Sequence, residues 1–219
     1  MPASSLAKIA VPALILLAAG GCSRTGEIDA SGGGAGITTV RSVCPRVEVP
    51  AGTGDVTLFD PANSREAQAI DVVANITNVK STCDDASEQV LTNVTFDVFA
   101  RRRDAGAARD VTLPYFITVV RGGSSVVAKR VSHVTLHFEA GQIRASTTGA
   151  ASTSVSRAAA TVPEEVRQRL NRKRKAGEEA AATDPLADPS VRSAVASATF
   201  EALVGFQLTE DQLKYNATR

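Results

Sequence analysis

The sequence predicts a mainly β protein, an antiparallel immunoglobulin-like β-sandwich followed by C-terminal α-helices. Apolar and polar residues alternate with a period of two through much of residues 37–162, which is typical of strands with one buried face. Gly-rich and Asp-rich turn signals separate these runs, and after Thr161 the period becomes helical. The chain has 219 residues, 43% of them hydrophobic, and a formal net charge of +1, values typical of a globular protein and not of a nucleic-acid binder.

Seven or eight strands are predicted within residues 37–162. The clearest is NVTFDVFA, where Val94, Phe96 and Val98 alternate with polar residues. Pro114 lacks a backbone N–H and predicts an edge strand or a bulge, and a phase change near Val131 predicts another bulge. The other candidate strands are 38–48, 55–59, 69–79, 110–121, 125–138, 142–148 and 151–161.

The C-terminal region, residues 163–219, is predicted to be helical. A capping box of Thr161 and Glu164 starts a first helix that runs to about Gly177 and carries few apolar residues. A second helix is expected to begin at Pro189 and to end at Gly205, and Thr209 caps a final short turn.

The second helix carries a broad apolar stripe that must be buried on something. We therefore expect it to bind a partner, and expect truncation after Asp184 to leave a folded sandwich that has lost the interaction. The alternative is that this helix packs on its own sandwich. The candidate partner-binding residues are Val191, Val195, Phe200, Leu203 and Val204.

An export signal occupies residues 1–21. Lys8 is its only charged side chain, an apolar run extends from Ile9 to Ala19, and two glycines precede Cys22. The run is shorter than the roughly 20 apolar residues that a membrane-spanning helix needs. Residues 22–36, rich in glycine and serine, are predicted to be a flexible tether.

Residues 1–22 resemble the signal of a bacterial lipoprotein, as found in proteobacteria, in which the cysteine becomes the new N-terminus and carries diacylglycerol. Ala19 departs from the commonest pattern, which has leucine there. The resemblance implies lipidation of Cys22, and Ser23 implies sorting to the outer membrane, on its periplasmic face. Cleavage before Cys22 without lipidation is the alternative.

The three cysteines are consistent with an exported chain. If Cys22 is lipidated, Cys44 and Cys83 remain as one disulfide pair in an oxidising compartment. Two unpaired buried cysteines are the alternative. A metal site is not supported, because no further ligand lies near either cysteine in sequence.

Catalytic motifs are absent from the sequence. It contains no G-x-S-x-G elbow, no G-x-G-x-x-G and no phosphate-binding loop, and no cofactor is expected. The two histidines, His133 and His137, lie in a predicted strand about 13 Å apart, so that they share a face but cannot share one ion. An enzyme would need convergent carboxylates or one of these histidines in a cleft.

Two basic clusters are candidate anion-binding sites, for lipid phosphates or cell-wall carboxylates, and the simpler interpretation is solvated surface. Nucleic acid is disfavoured by the export signal. The cluster residues are Arg101, Arg102, Arg103, Arg172, Lys173, Arg174 and Lys175.

The leading hypothesis is a non-catalytic envelope lipoprotein, anchored by Cys22, that binds another envelope protein through its sandwich and C-terminal helices. The alternative is a periplasmic lipid- or amphiphile-binding module. A continuous apolar cavity of roughly a few hundred cubic ångströms would favour the second.

Overall fold

The computed structural model describes residues 42–172 and 183–218. The predicted export signal with Cys22, the predicted tether and the basic residues Lys173 to Lys175 lie outside these ranges. The described residues form eight strands in two four-stranded sheets.

Sheet A contains β1 (Arg46–Glu48), β5 (Arg109–Arg121), β6 (Ser125–Phe138) and β8 (Phe200–Phe206), in the order β1-β8-β5-β6. Sheet B contains β2 (Asp55–Phe59), β3 (Ile70–Asp84), β4 (Gln89–Arg102) and β7 (Arg144–Ser156), in the order β2-β3-β4-β7. Neighbouring strands are antiparallel except for β1, which runs parallel to β8. The prediction of a mainly β, antiparallel sandwich with C-terminal helices is confirmed.

A large hydrophobic core joins the two sheets, and a smaller cluster that includes Phe200 also lies between them. Alternate residues of the long strands point between the sheets because successive side chains of a strand lie on opposite faces. The ring of Phe96 on β4 meets that of Tyr115 on β5 edge to face, with 5.1 Å between centroids. The largest fully buried side chains of this core are Phe96, Leu113, Leu136, Phe138 and Phe206.

Four α-helices complete the described chain: α1 (Arg157–Ala160), α2 (Glu164–Asn171), α3 (Pro189–Ser197) and α4 (Glu210–Thr218). The predicted start of α4 is confirmed, because Thr209 and Gln212 exchange side-chain to backbone hydrogen bonds of 2.9 and 3.2 Å. The predicted capping box of the first helix is wrong. The Thr161 hydroxyl donates instead to the carbonyl of Arg157.

The predicted helix over residues 189–205 is wrong beyond Ser197. Residues Phe200–Phe206 form β8, which lies between β1 and β5. The predicted end of the sandwich at residue 162 is wrong for the same reason, since β8 belongs to sheet A. Phe200 and Val204 are four residues apart, a spacing that fits one face of a helix as well as one face of a strand. Pairing of this segment with β5 makes it a strand.

Three smaller strand predictions are also corrected. β7 is one continuous strand, where two were predicted, and residues 157–160 form α1. Pro114 lies in an inner strand, and its missing N–H is tolerated because the β5–β8 ladder ends at the Tyr115–Phe206 pair. The register shift between β5 and β6 falls at Val119 and Val120, away from Val131.

Candidate functional site

The predicted disulfide is confirmed. Cys44 and Cys83 are bonded, with 6.1 Å between their Cα atoms and a sequence separation of 39 residues. The bond joins the segment before β1 of sheet A to the end of β3 of sheet B. A loop of this length contributes roughly 3–4 kcal/mol in the chain-entropy description.

Arg102 is wrongly predicted as an anion-binding residue. Its side chain is buried and donates hydrogen bonds to four backbone carbonyls, including those of Gln142 (2.7 Å) and Ala107 (2.8 Å). Its guanidinium also lies 5.3 Å from the ring centroid of Phe138. Arg102 therefore ties two loops together at one end of the sandwich, because a buried guanidinium must satisfy its donors internally.

The other predicted anion-binding residues are scattered. Arg103 donates a 2.8 Å hydrogen bond to Asp104, which raises the pKa of the guanidinium. Arg101 is exposed on the outer face of sheet B, directly opposite Arg144 of β7, a neighbour that only the strand register reveals. Arg172 is exposed after the end of α2.

The predicted partner-binding stripe is not a free surface. Val191 and Val195 are buried against Leu170 of α2, and Phe200 and Val204 are buried within the sandwich. Leu203 alone of the five is partly exposed. The prediction failed because the few apolar residues of α2 are enough to cover α3, and because residues 200–204 form a strand.

The two histidines share one face of β6, as predicted, and both are exposed on the outer side of sheet A. The imidazole of His137 is 2.6 Å from Asp110 and 3.5 Å from Glu139, and the hydrogen bond to Asp110 is the main cause that raises the pKa of His137. Within residues 42–172 and 183–218, no group of three or more His, Cys, Asp or Glu side chains is placed to hold a metal ion.

A cleft of about 370 Å³ opens between the two sheets beside β6. Val94 and Ile117 contribute apolar surface, whereas Asn93, Thr95, Arg130 and Ser132 contribute polar groups. The cleft differs from the enclosed apolar cavity expected of a lipid-binding module, because four of these six side chains are polar and Arg130 is exposed to solvent.

The N-terminal half of β6 is the most exposed apolar segment of the sandwich. β6 is the last strand of sheet A, and every residue from Ser125 to His133 is exposed. Three of them are valines, Val126, Val127 and Val131, with exposed fractions of 62%, 51% and 45%. Among the described strands, only β5 pairs with β6.

The hydrogen-bond pattern of β5 shows which backbone groups of β6 point outward. The Gln207 N–H donates to the Pro114 carbonyl, so even-numbered residues of this part of β5 turn their backbone groups toward β8. Their odd-numbered neighbours bond to β6, and Tyr115 pairs with Ser132. Consequently the N–H and C=O groups of Lys129, Val131 and His133 point to the free edge.

Two neighbouring cations lie on this edge. The Lys129 ammonium is 5.2 Å from the ring centroid of Phe116 on the outer face of sheet A, and Arg130 lines the cleft on the inner side. No carboxylate of the described residues forms an ion pair with either one. This edge could not be predicted from the sequence, because the position of β6 at the end of sheet A depends on strand order.

Comparison with known proteins returns no match among family models, curated proteins or solved structures. In the part of the chain that the structure covers, no helix is sufficiently long and apolar to cross a membrane.

Proposed function

We propose that this protein is a non-catalytic envelope lipoprotein, anchored through Cys22 to the periplasmic face of the outer membrane. It binds another envelope protein by adding an extended segment of that protein to the free edge of β6. The observation that carries the proposal is the row of outward-pointing backbone groups on β6 beside three exposed valines. The lipid anchor rests on the sequence of residues 1–22.

A long apolar edge is a template for strand addition. Natural proteins shorten, cover or charge such edges to prevent unwanted pairing. β6 has 14 residues, and its exposed half contains three valines together with the charged residues Lys129 and Arg130. The two cations disfavour pairing with most strands, so a partner strand that neutralises them is selected. Addition of a partner strand supplies hydrogen bonds to the unpaired backbone groups, and side-chain pockets then give specificity. The cleft beside Arg130 is such a pocket.

The alternative, a periplasmic lipid- or amphiphile-binding module, has less support. The cleft has apolar residues at Val94 and Ile117, but Asn93, Thr95 and Ser132 line it as well. A buried acyl chain would leave those polar groups without water or hydrogen-bond partners, which is costly. The cleft is better suited to a peptide segment that brings polar groups to these side chains.

We expect Val131→Pro to abolish partner binding without unfolding the sandwich. The Val131 N–H points to the free edge, so proline removes a donor that an added strand needs and leaves the ladder with β5 intact. The measurement is photo-crosslinking in cells, with the full-length protein carrying a photoreactive residue at position 127. A crosslinked adduct of defined size should form with the unsubstituted edge and disappear with Val131→Pro.

Three controls make this experiment specific. Val131→Thr keeps the N–H and the β-branched shape and should retain the adduct. Ser132→Pro removes a donor that faces β5 and should lower stability, which a thermal melt will show. A photoreactive residue at Ser154, on sheet B, should give no adduct. An adduct that persists unchanged in a folded Val131→Pro protein contradicts the proposal.

A further inference from the structure

We infer that the segment received by β6 carries two consecutive acidic residues flanked by apolar residues, with the acidic pair opposite Lys129 and Arg130. This inference rests on the proposed function, since it specifies the chemistry of the partner at the same edge.

The geometry of the two cations requires the acidic residues to be adjacent. Lys129 and Arg130 are consecutive in a strand, so their side chains lie on opposite faces of sheet A. Lys129 lies over Phe116 on the outer face, and Arg130 lines the cleft between the sheets. In an added strand the two residues directly opposite also point to opposite faces, about 4.5–5.5 Å away between Cβ atoms.

Neither cation has a counter-charge nearby in the described chain. The sequence of β6, SVVAKRVSHVTLHF, contains no aspartate or glutamate. The polar groups beside Arg130 in the cleft come from Asn93, Thr95 and Ser132, none of which is charged. An added strand would remove water from Arg130, and a desolvated charge is costly unless an opposite charge pairs with it.

The flanking positions favour apolar residues. Val131 on one side of the cation pair, and Val126 and Val127 on the other, are exposed in the unbound chain. Apolar partner residues here would cover surface that is now in water, and cross-strand β-branched pairs stabilise sheets.

The β6 strand of a second copy fits the edge poorly. The exposed half of β6 contains only cationic and neutral residues, so pairing with another β6 would supply no carboxylate for Lys129 or Arg130. Charge complementarity therefore favours an acidic segment of a different protein.

Fluorescence anisotropy with synthetic peptides tests the inference. The probe is a fluorescein-labelled peptide, Thr-Val-Val-Asp-Glu-Val-Thr-Val, and the matched peptides replace Asp-Glu by Asn-Gln or by Lys-Lys. We expect the full-length protein to bind the acidic peptide about tenfold more tightly than the Asn-Gln peptide, with the difference shrinking as salt increases. The double variant Lys129→Glu, Arg130→Glu should prefer the Lys-Lys peptide.

The inference is overturned if the acidic peptide binds no better than the Asn-Gln peptide, if it does not bind at all, or if the charge-reversed variant keeps the original preference. Failure of the proposed function is distinguishable from these results. If Val131→Pro abolishes crosslinking at position 127, strand addition is supported whichever peptide the protein prefers. If crosslinking persists in Val131→Pro, strand addition itself is contradicted.

Discussion

Truncation after Asp184 is expected to prevent the sandwich from folding. The deletion removes β8, which pairs with both β1 and β5 inside sheet A. It also removes six buried apolar side chains, those of Val191, Val195, Phe200, Ala202, Val204 and Phe206. Each large apolar side chain contributes roughly 1.5–3 kcal/mol, so their loss approaches the whole stability of a domain, about 5–15 kcal/mol.

Circular dichroism with urea unfolding measures this effect, and truncation after Leu208 is the matched control. The control removes α4 but keeps β8, and with α4 it loses the two hydrogen bonds of 2.8 Å that Asn216 donates to the carbonyls of Gly52 and Asp55. We expect it to fold with reduced stability. A protein truncated after Asp184 that unfolds cooperatively at the same urea concentration as the full chain would contradict the assignment of β8 to the core.

Cys22→Ala is expected to release the protein from membranes into the soluble periplasmic fraction. An acyl chain contributes about 0.8 kcal/mol for each buried CH₂, so loss of the lipid removes the anchor completely. Labelling with a palmitate analogue should disappear in the same variant. Cys44 and Cys83 are joined to each other, so Cys22 is the one cysteine of the three in the sequence that this disulfide does not include.

Two control variants test the specificity of this result. Cys44→Ala with Cys83→Ala should still be labelled by the palmitate analogue, although its stability falls. Ser23→Asp should also be labelled, but should fractionate with the inner membrane, as the resemblance to proteobacterial lipoproteins implies. Continued labelling and membrane association of Cys22→Ala would exclude the lipoprotein interpretation.

Most strands could be predicted from the sequence because each long strand has one buried and one exposed face. In β4, for example, every second residue from Val90 to Arg102 is buried. In β8 the buried side chains also include every second residue, Phe200, Ala202, Val204 and Phe206. This strand, however, follows closely after the helix α3, which ends at Ser197. The spacing of apolar residues in this segment fits both a helix and a strand. Only the pairing with β5 shows that it is a strand.

The free edge of β6 could not be predicted, since it depends on contacts between residues distant in sequence. Exposed valines in VVAKRV suggest an ordinary half-buried strand until the order of sheet A places β6 last. Arg102 gives the opposite example, because a run of three arginines suggests a charged surface. The alternation of β4 turns the middle one inward, where four carbonyls accept its hydrogen bonds.

Residue-resolved amide hydrogen exchange tests the central claim, strand addition at β6, most directly. The experiment compares the full-length protein with and without the Asp-Glu peptide. Strand addition predicts that the amides of Lys129, Val131 and His133, which point to the free edge, become protected on binding. The amides of Arg130 and Ser132 should change little, because they already bond to β5. Protection that is absent from the three edge amides, or that appears on another face of the sandwich, would contradict binding at this edge.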